Sequence, residues 1–240
     1  MPSTSAQGQS TTPERTDRAI RSGAGLWILG ALQFVVAMGV TQYGWDLLRS
    51  GPTPVYSLLN NYISDLGAVS CGPFRSMYVC SPWHNVFNVS IVLLGLLLSF
   101  GVIWLARSIP PGPARGLGCL LVIVAGIGAI GVGLFPEDVN RTAHAISALP
   151  AFLLGNLGAI TLGYAYYTRD RAVGWLAYSV ASGVVGLVAL GLFVGKIYGP
   201  LGIGGMERLI IAPLLLWVVV EAVRLLRLPR YAPSRMAAPH

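Results

Sequence analysis

Five stretches of twenty or more residues, 22–45, 85–106, 116–136, 145–168 and 172–195, contain no Asp, Glu, Lys or Arg. Each is long enough, at 1.5 Å per residue, to cross a hydrocarbon core of about 30 Å as a helix. A sixth, 206–223, is uncharged only over 209–220, so Glu207, Arg208 and Glu221 must lie at an interface or inside the protein. Charged residues make up 10% of the 240 and mean hydropathy is +0.66. A soluble domain carries roughly 25% charge, so this chain cannot coat a water-facing surface. The fold class expected is all-α, a polytopic six-helix transmembrane bundle, because an open sheet edge in lipid leaves backbone groups unpaired.

The net charge of +7 reads as a topology signal. With the N-terminus cytoplasmic, eleven basic residues (Arg15, Arg18, Arg21, Arg107, Arg115, Arg169, Arg171, Arg224, Arg227, Arg230 and Arg235) fall inside, against Arg49, Arg75, Arg141, Lys196 and Arg208 outside. This bias places both termini in the cytoplasm and removes the main support for a nucleic-acid partner, which needs its basic residues on one face. Residues 1–21, rich in Ser, Thr, Gln and Pro, are expected to be a disordered cytoplasmic tail. The arginines before the first span resemble a signal-peptide start, but the run is long and lacks a convincing small-x-small cleavage site, so it is expected to remain as a span. The membrane domain is then 22–227, with 228–240 a second cytoplasmic tail. Its longest connection, 46–83, contains Tyr56, Leu58, Leu59, Tyr62, Ile63 and Leu66 and is expected to be a structured outer loop, with a short helix or re-entrant piece against the bundle mouth.

Several motifs read more simply than their letters. Gly126, Gly128 and Gly131 spell G-x-G-x-x-G but sit mid-span without the strand that the dinucleotide fingerprint requires. With Ala125, Ala129 and Gly133 they form a face for close helix approach, as do Ala151, Gly155, Ala159 and Gly163 on the fourth span. Pro150 and Pro213 bend their helices. Asn88-Val89-Ser90 matches a glycosylation acceptor inside a span and is discarded. Cys71 and Cys80 in the outer loop are disulfide candidates, and Cys119 is a packing residue.

The polar residues at the outer ends are the candidate ligand-binding set: Asn61, Ser64, Asp65, His84, Asn88, Glu137, Asp138, Arg141, His144, Glu207 and Arg208. They come from separate segments at one membrane depth, where ionisable groups are costly and point to function. Arg141 or Arg208 is expected to pair with Asp65, Glu137 or Glu207. Asp65, His84 and His144 are the candidate metal set, since catalytic zinc takes three protein ligands and a water, yet there is no H-E-x-x-H motif. No cofactor is expected, with zinc the alternative. The competing structural reading is that Ser64 or Asp65 caps a helix, that Glu137 and Asp138 face the dipole of the fourth span, and that the cluster only holds loop and helices together.

The segment Asn61-Tyr62-Ile63-Ser64-Asp65-Leu66-Gly67, the start of the second span from His84 to Ser90, and Gly133-Leu134-Phe135-Pro136-Glu137-Asp138 followed by His144 resemble bacterial six-helix membrane proteins of the domain-of-unknown-function 998 family. The Ile63–Gly67 segment and the topology are also distantly similar to a eukaryotic six-helix family that includes autophagy modulators and a factor in remodelling glycosylphosphatidylinositol anchors. Membrane ceramidase-like hydrolases bind zinc through several histidines, where this chain has two near the membrane. The resemblance implies a multi-pass protein of the bacterial cytoplasmic membrane and no assigned activity. The function expected is binding of a lipid headgroup or other amphipathic ligand in an extracytoplasmic polar pocket, without turnover, Arg141 and Arg208 holding an anionic group. The alternatives are a metal-assisted lipid hydrolase or acyl transferase, a small transporter, and a purely structural membrane protein; membrane lipids are the only partners implied.

Overall fold

A computed structural model describes residues 12–75 and 77–227. Six helices carry the chain: α1 (Thr12–Leu47), α2 (His84–Leu105), α3 (Pro113–Leu134), α4 (Arg141–Asp170), α5 (Val173–Val194) and α6 (Gly202–Arg227). All six are long and apolar enough to span a membrane. The three helices of 22 residues are about 33 Å long, matched to the hydrocarbon core, whereas the 36 residues of α1 give about 54 Å and must project beyond it. Residues 12–21 are therefore helical, in place of the disordered tail expected there. Pro13 and Glu14 at its first turn suit a helix start, where a missing N–H costs nothing and a carboxylate meets the positive dipole end. The rest of the two expected tails, 1–11 and 228–240, lies outside the described residues.

The helices form a closed ring in chain order. Each packs on the next, α6 returns to α1, and α4 also reaches α6 across the interior. Large apolar side chains such as Leu29, Val36, Ile127, Val188 and Leu216 point outward, as lipid-facing positions must. The glycines set the spacing: a Cβ at Gly126 would stand 2.6 Å from the Gly95 carbonyl oxygen of α2, and one at Gly128 would stand 2.6 Å from the Ser147 carbonyl oxygen of α4. Gly155 faces Leu214 of α6 and Gly163 faces Ser179 of α5. Both small-residue stripes thus serve packing.

Polar side chains within the spans donate to neighbouring backbone carbonyls, since no water is available to them. Trp27 Nε1 donates to Leu98 O (3.0 Å), Gln33 Nε2 to Ser90 O (2.9 Å) and Asn156 Nδ2 to Ile210 O (3.3 Å). Ser99 and Thr161 bond to carbonyls of their own helices. Away from the long loop, buried Glu221 accepts from Tyr166 Oη (2.7 Å) and from Arg224, whose guanidinium lies over the Tyr166 and Trp175 rings.

The long loop is an ordered cover. It makes a short 3-10 turn, Ser64–Gly67, and then an antiparallel hairpin of β1 (Gly72–Phe74) and β2 (Met77–Val79) that pairs Gly72 with Val79 and Phe74 with Met77. The hairpin was not expected from sequence. Cys71 and Cys80 are joined in a disulfide at its open end.

The helix spacing gives a direct test. Gly128→Val places a branched side chain against the α4 backbone and is expected to destabilise the protein by about 1–3 kcal/mol, the usual cost of overpacking. A lowered thermal midpoint in detergent is the readout; a midpoint equal to that of the parent contradicts the close α3–α4 approach.

Candidate functional site

The loop is fastened at its centre by acids from elsewhere in the chain. Glu207, in the second turn of α6, accepts the Ile63 N–H. Glu137, in the α3–α4 turn, accepts the Ser64 hydroxyl (2.9 Å) on Oε2. Its neighbour Asp138 accepts the N–H groups of Val69 (3.0 Å) and Ser70 (2.8 Å). Neither acid of that turn caps α4, whose first turn is closed by Asn140 Oδ1 on the Ala143 N–H. Asn88 Nδ2 and Ser81 Oγ bond to the carbonyls of Gly67 and Leu66. The segment 61–70 is thereby tied down onto α2, α6 and the α3–α4 turn.

The cation in this layer is Arg75. It sits at the hairpin tip with φ of 55° and sends Nη2 to Glu137 Oε2 at 2.8 Å, its guanidinium 3.8 Å above the centre of the Tyr62 ring. The pairing expected of Arg141 or Arg208 falls to Arg75 instead. Arg208 is taken up by the loop: Nη1 donates to the carbonyls of Leu58, Asn61 and Gly204, and Nη2 to Tyr56 Oη (2.7 Å). Gly204 lets α6 come that close, because a Cβ there would run into the Asn61 carbonyl. Arg141 lies exposed at the start of α4.

Asp65 is 1% exposed, with Oδ2 accepting from Asn61 Nδ2 (3.1 Å) and Tyr62 N (2.9 Å). Its carboxyl is also within hydrogen-bonding reach of Glu137. Two facing carboxylates repel, so the pair favours holding one proton until the pH rises past the titration of Asp65. Glu137 Oε1 is buried without another donor, which puts the proton on Asp65 pointing at Glu137. Burial, and then the hydrogen bond and charge of Glu137, push the Asp65 carboxyl up to about 7. Burial also raises Glu137, opposed by the Arg75 charge and the bond from Asp65. Burial raises the Tyr56 and Tyr62 phenols.

The two histidines serve different places. His84 Nδ1 contacts Ser81 O (2.9 Å) in its own loop, and His144 Nδ1 contacts Phe135 O (2.9 Å) at the end of α3. Among the described residues no three His, Cys, Asp or Glu side chains converge on a common point as a metal site requires; Asp65, His84 and His144 make no such group.

Beneath the acid layer an apolar cavity of about 70 Å³ runs into the bundle. Its walls are apolar residues of α1, α2, α3, α4 and α6, among them Phe34, Leu94, Leu98, Ala129 and Trp217. Ser64, His144 and Glu207 line it from the loop end, and Asn156 from the α4 side. A family model described as a protein of unknown function (DUF998) matches residues 23–224. The chain belongs to that family. No curated protein and no solved structure matches it. The match runs from α1 to α6, so the loop, the acid layer and the cavity all lie inside the region that this family member shares with its family.

Of the sequence candidates, Asn61, Ser64, Asp65, Asn88, Glu137, Asp138, Glu207 and Arg208 meet in or around the loop's anchorage, and His144 joins them at the cavity. His84 and Arg141 do not line it. The residues that sequence reasoning missed are Arg75, Tyr56 and Tyr62. A signal for Arg75 was present: a loop closed by Cys71 and Cys80 must turn near its midpoint, and the turn residue faces whatever the loop covers.

The shared proton has a pH consequence. Folded Asp65 titrates near 7 and unfolded Asp near 3.8, so the folded state binds the extra proton between these values. Stability from this group is greatest below the lower value and declines as pH rises through the higher one. Asp65→Asn, which mimics the protonated carboxyl and can donate to Glu137, is expected to flatten the fall in thermal midpoint between pH 5 and 8 and to melt a few degrees above wild type at the alkaline end. The difference between the two profiles reports the Asp65–Glu137 pair as a unit; parallel pH profiles contradict the shared proton.

Proposed function

We propose that this protein binds an amphipathic molecule, its apolar part in the cavity inside the bundle and its polar head under the loop, on the extracytoplasmic side of the bacterial cytoplasmic membrane. The observation that carries this is the continuity between the two environments: Ser64 and Glu207, which line the loop end of the apolar cavity beside His144, belong to or touch the anchored loop layer. Binding sites of this kind are concave and mostly apolar, with few convergent polar groups. The space exceeds the roughly 10–15 Å³ that a single water occupies, and apolar walls favour a hydrocarbon occupant over water. The orientation rests on the arginine distribution along the chain, and the disulfide suits an oxidising compartment. Arg208 is bonded to the loop and does not line the cavity, so an anionic head held by Arg141 and Arg208, as the sequence led us to expect, is not part of this reading.

Mass spectrometry of the protein purified from its own membrane in mild detergent tests the proposal. Wild type is expected to retain an amphiphile, and Ala129→Leu and Ala151→Leu, which fill the cavity, to retain several-fold less while melting within a few degrees of wild type. Wild type carrying none, or filled variants carrying as much as wild type, would overturn it.

A further inference from the structure

The polar side chains that line the cavity share a property: their donors are already in use. The Ser64 hydroxyl proton goes to Glu137 Oε2 at 2.9 Å. His144 Nδ1 meets the Phe135 carbonyl at 2.9 Å, a contact that uses a ring N–H. Asn156 is wholly buried, its Nδ2 donating to Phe152 O (2.8 Å) and Ile210 O (3.3 Å), while its Oδ1 has no donor. Glu207 is 5% exposed and accepts the Ile63 N–H with one oxygen.

The positive charges at this end are directed elsewhere. Arg75 pairs with Glu137 and stacks on Tyr62. Arg208, although adjacent to Glu207 in sequence, leaves the helix in another direction and bonds to three carbonyls and the Tyr56 hydroxyl. The ion pairs among the described residues are Arg75–Glu137 and Arg224–Glu221, so Glu207 faces the cavity with no cation against it. A carboxylate removed from water takes up either a proton or a charge partner, and this one lines a space that a cationic head can enter.

Resting on the cavity reading above, we propose that the ligand's head is a protonated amine, seated against Glu207 within reach of the Ser64 hydroxyl oxygen, with its hydrocarbon chain directed past Ile210 and Leu94 toward Leu98 and Trp217. The amine supplies both things this end of the cavity lacks, N–H donors and positive charge. A phosphate or carboxylate head would instead bring more acceptors and negative charge to a place already furnished with both, and is selected against for the same reason.

The experiment compares heads on one chain length. Full-length protein in nanodiscs of zwitterionic lipid is titrated separately with tritiated decylamine, decanol and decanoate, the bound amount of each being read against empty nanodiscs. The amine is expected to bind about tenfold or more tightly than either analogue, the scale of one charge-assisted hydrogen bond. Glu207→Gln keeps the acceptor for Ile63 and is expected to lower amine affinity by about tenfold while leaving decanol nearly unchanged. Decanol or decanoate binding as tightly as the amine to wild type overturns the amine head and leaves the cavity reading standing. Failure of all three to bind wild type overturns both. The wild-type comparison needs no variant to fold, and a Glu207→Gln protein that folds and binds the amine like wild type also counts against the assignment.

Discussion

Buried carboxylates at one end of the bundle govern the rest of the structure. In an apolar surround each unpaired backbone N–H costs several kcal/mol, and the loop that crosses the bundle mouth has no helix of its own to satisfy its N–H groups. Glu207 takes that of Ile63, Asp65 takes that of Tyr62 and Glu137 holds Ser64, while at the exposed rim Asp138 takes those of Val69 and Ser70. The loop is therefore attached to α6 and to the α3–α4 turn. The carboxylates in turn need the Arg75 charge, the Asp65 proton and the hairpin that delivers the arginine.

Cavity and seams have one origin, the distribution of side-chain volume around the ring. Where glycine meets backbone, as at Gly126 against Gly95 and Gly128 against Ser147, helices approach closely and exclude any occupant. Where α1, α2, α3, α4 and α6 face the centre with alanine and branched aliphatic residues, the gap stays open. Of the polar groups at the rim of that gap, Ser64 gives its proton to Glu137 in anchoring the loop, and His144 and Asn156 meet backbone carbonyls of the helices.

Much of this was legible in the sequence and some was not, for reasons that differ by residue. Glu207 stood out because a charge beside a span is expensive, and Gly126, Gly128 and Gly131 read as packing because they sit mid-span. Arg75 was passed over because an arginine in a loop has water as its default partner; only the hairpin, three residues a side and without a strong alternating pattern, turns it inward. The helical start at Thr12 was hidden by a composition typical of disorder, where Pro13 and Glu14 carried the better local signal. His84 and Arg141 share their membrane depth with the cluster, but depth says nothing of which way a side chain faces.

By itself the sequence determined the number of spans, their order and the end of the bundle where ionisable groups gather, because hydropathy over twenty residues is a local quantity and the bilayer reads it directly. The tertiary structure alone decided that Asp65 meets Glu137, that Arg75 and not Arg208 neutralises it, and that Glu207 faces an apolar cavity without a cation. Those contacts join residues far apart in the chain, and they depend on helix rotation and loop path, which are set by packing among all six helices at once.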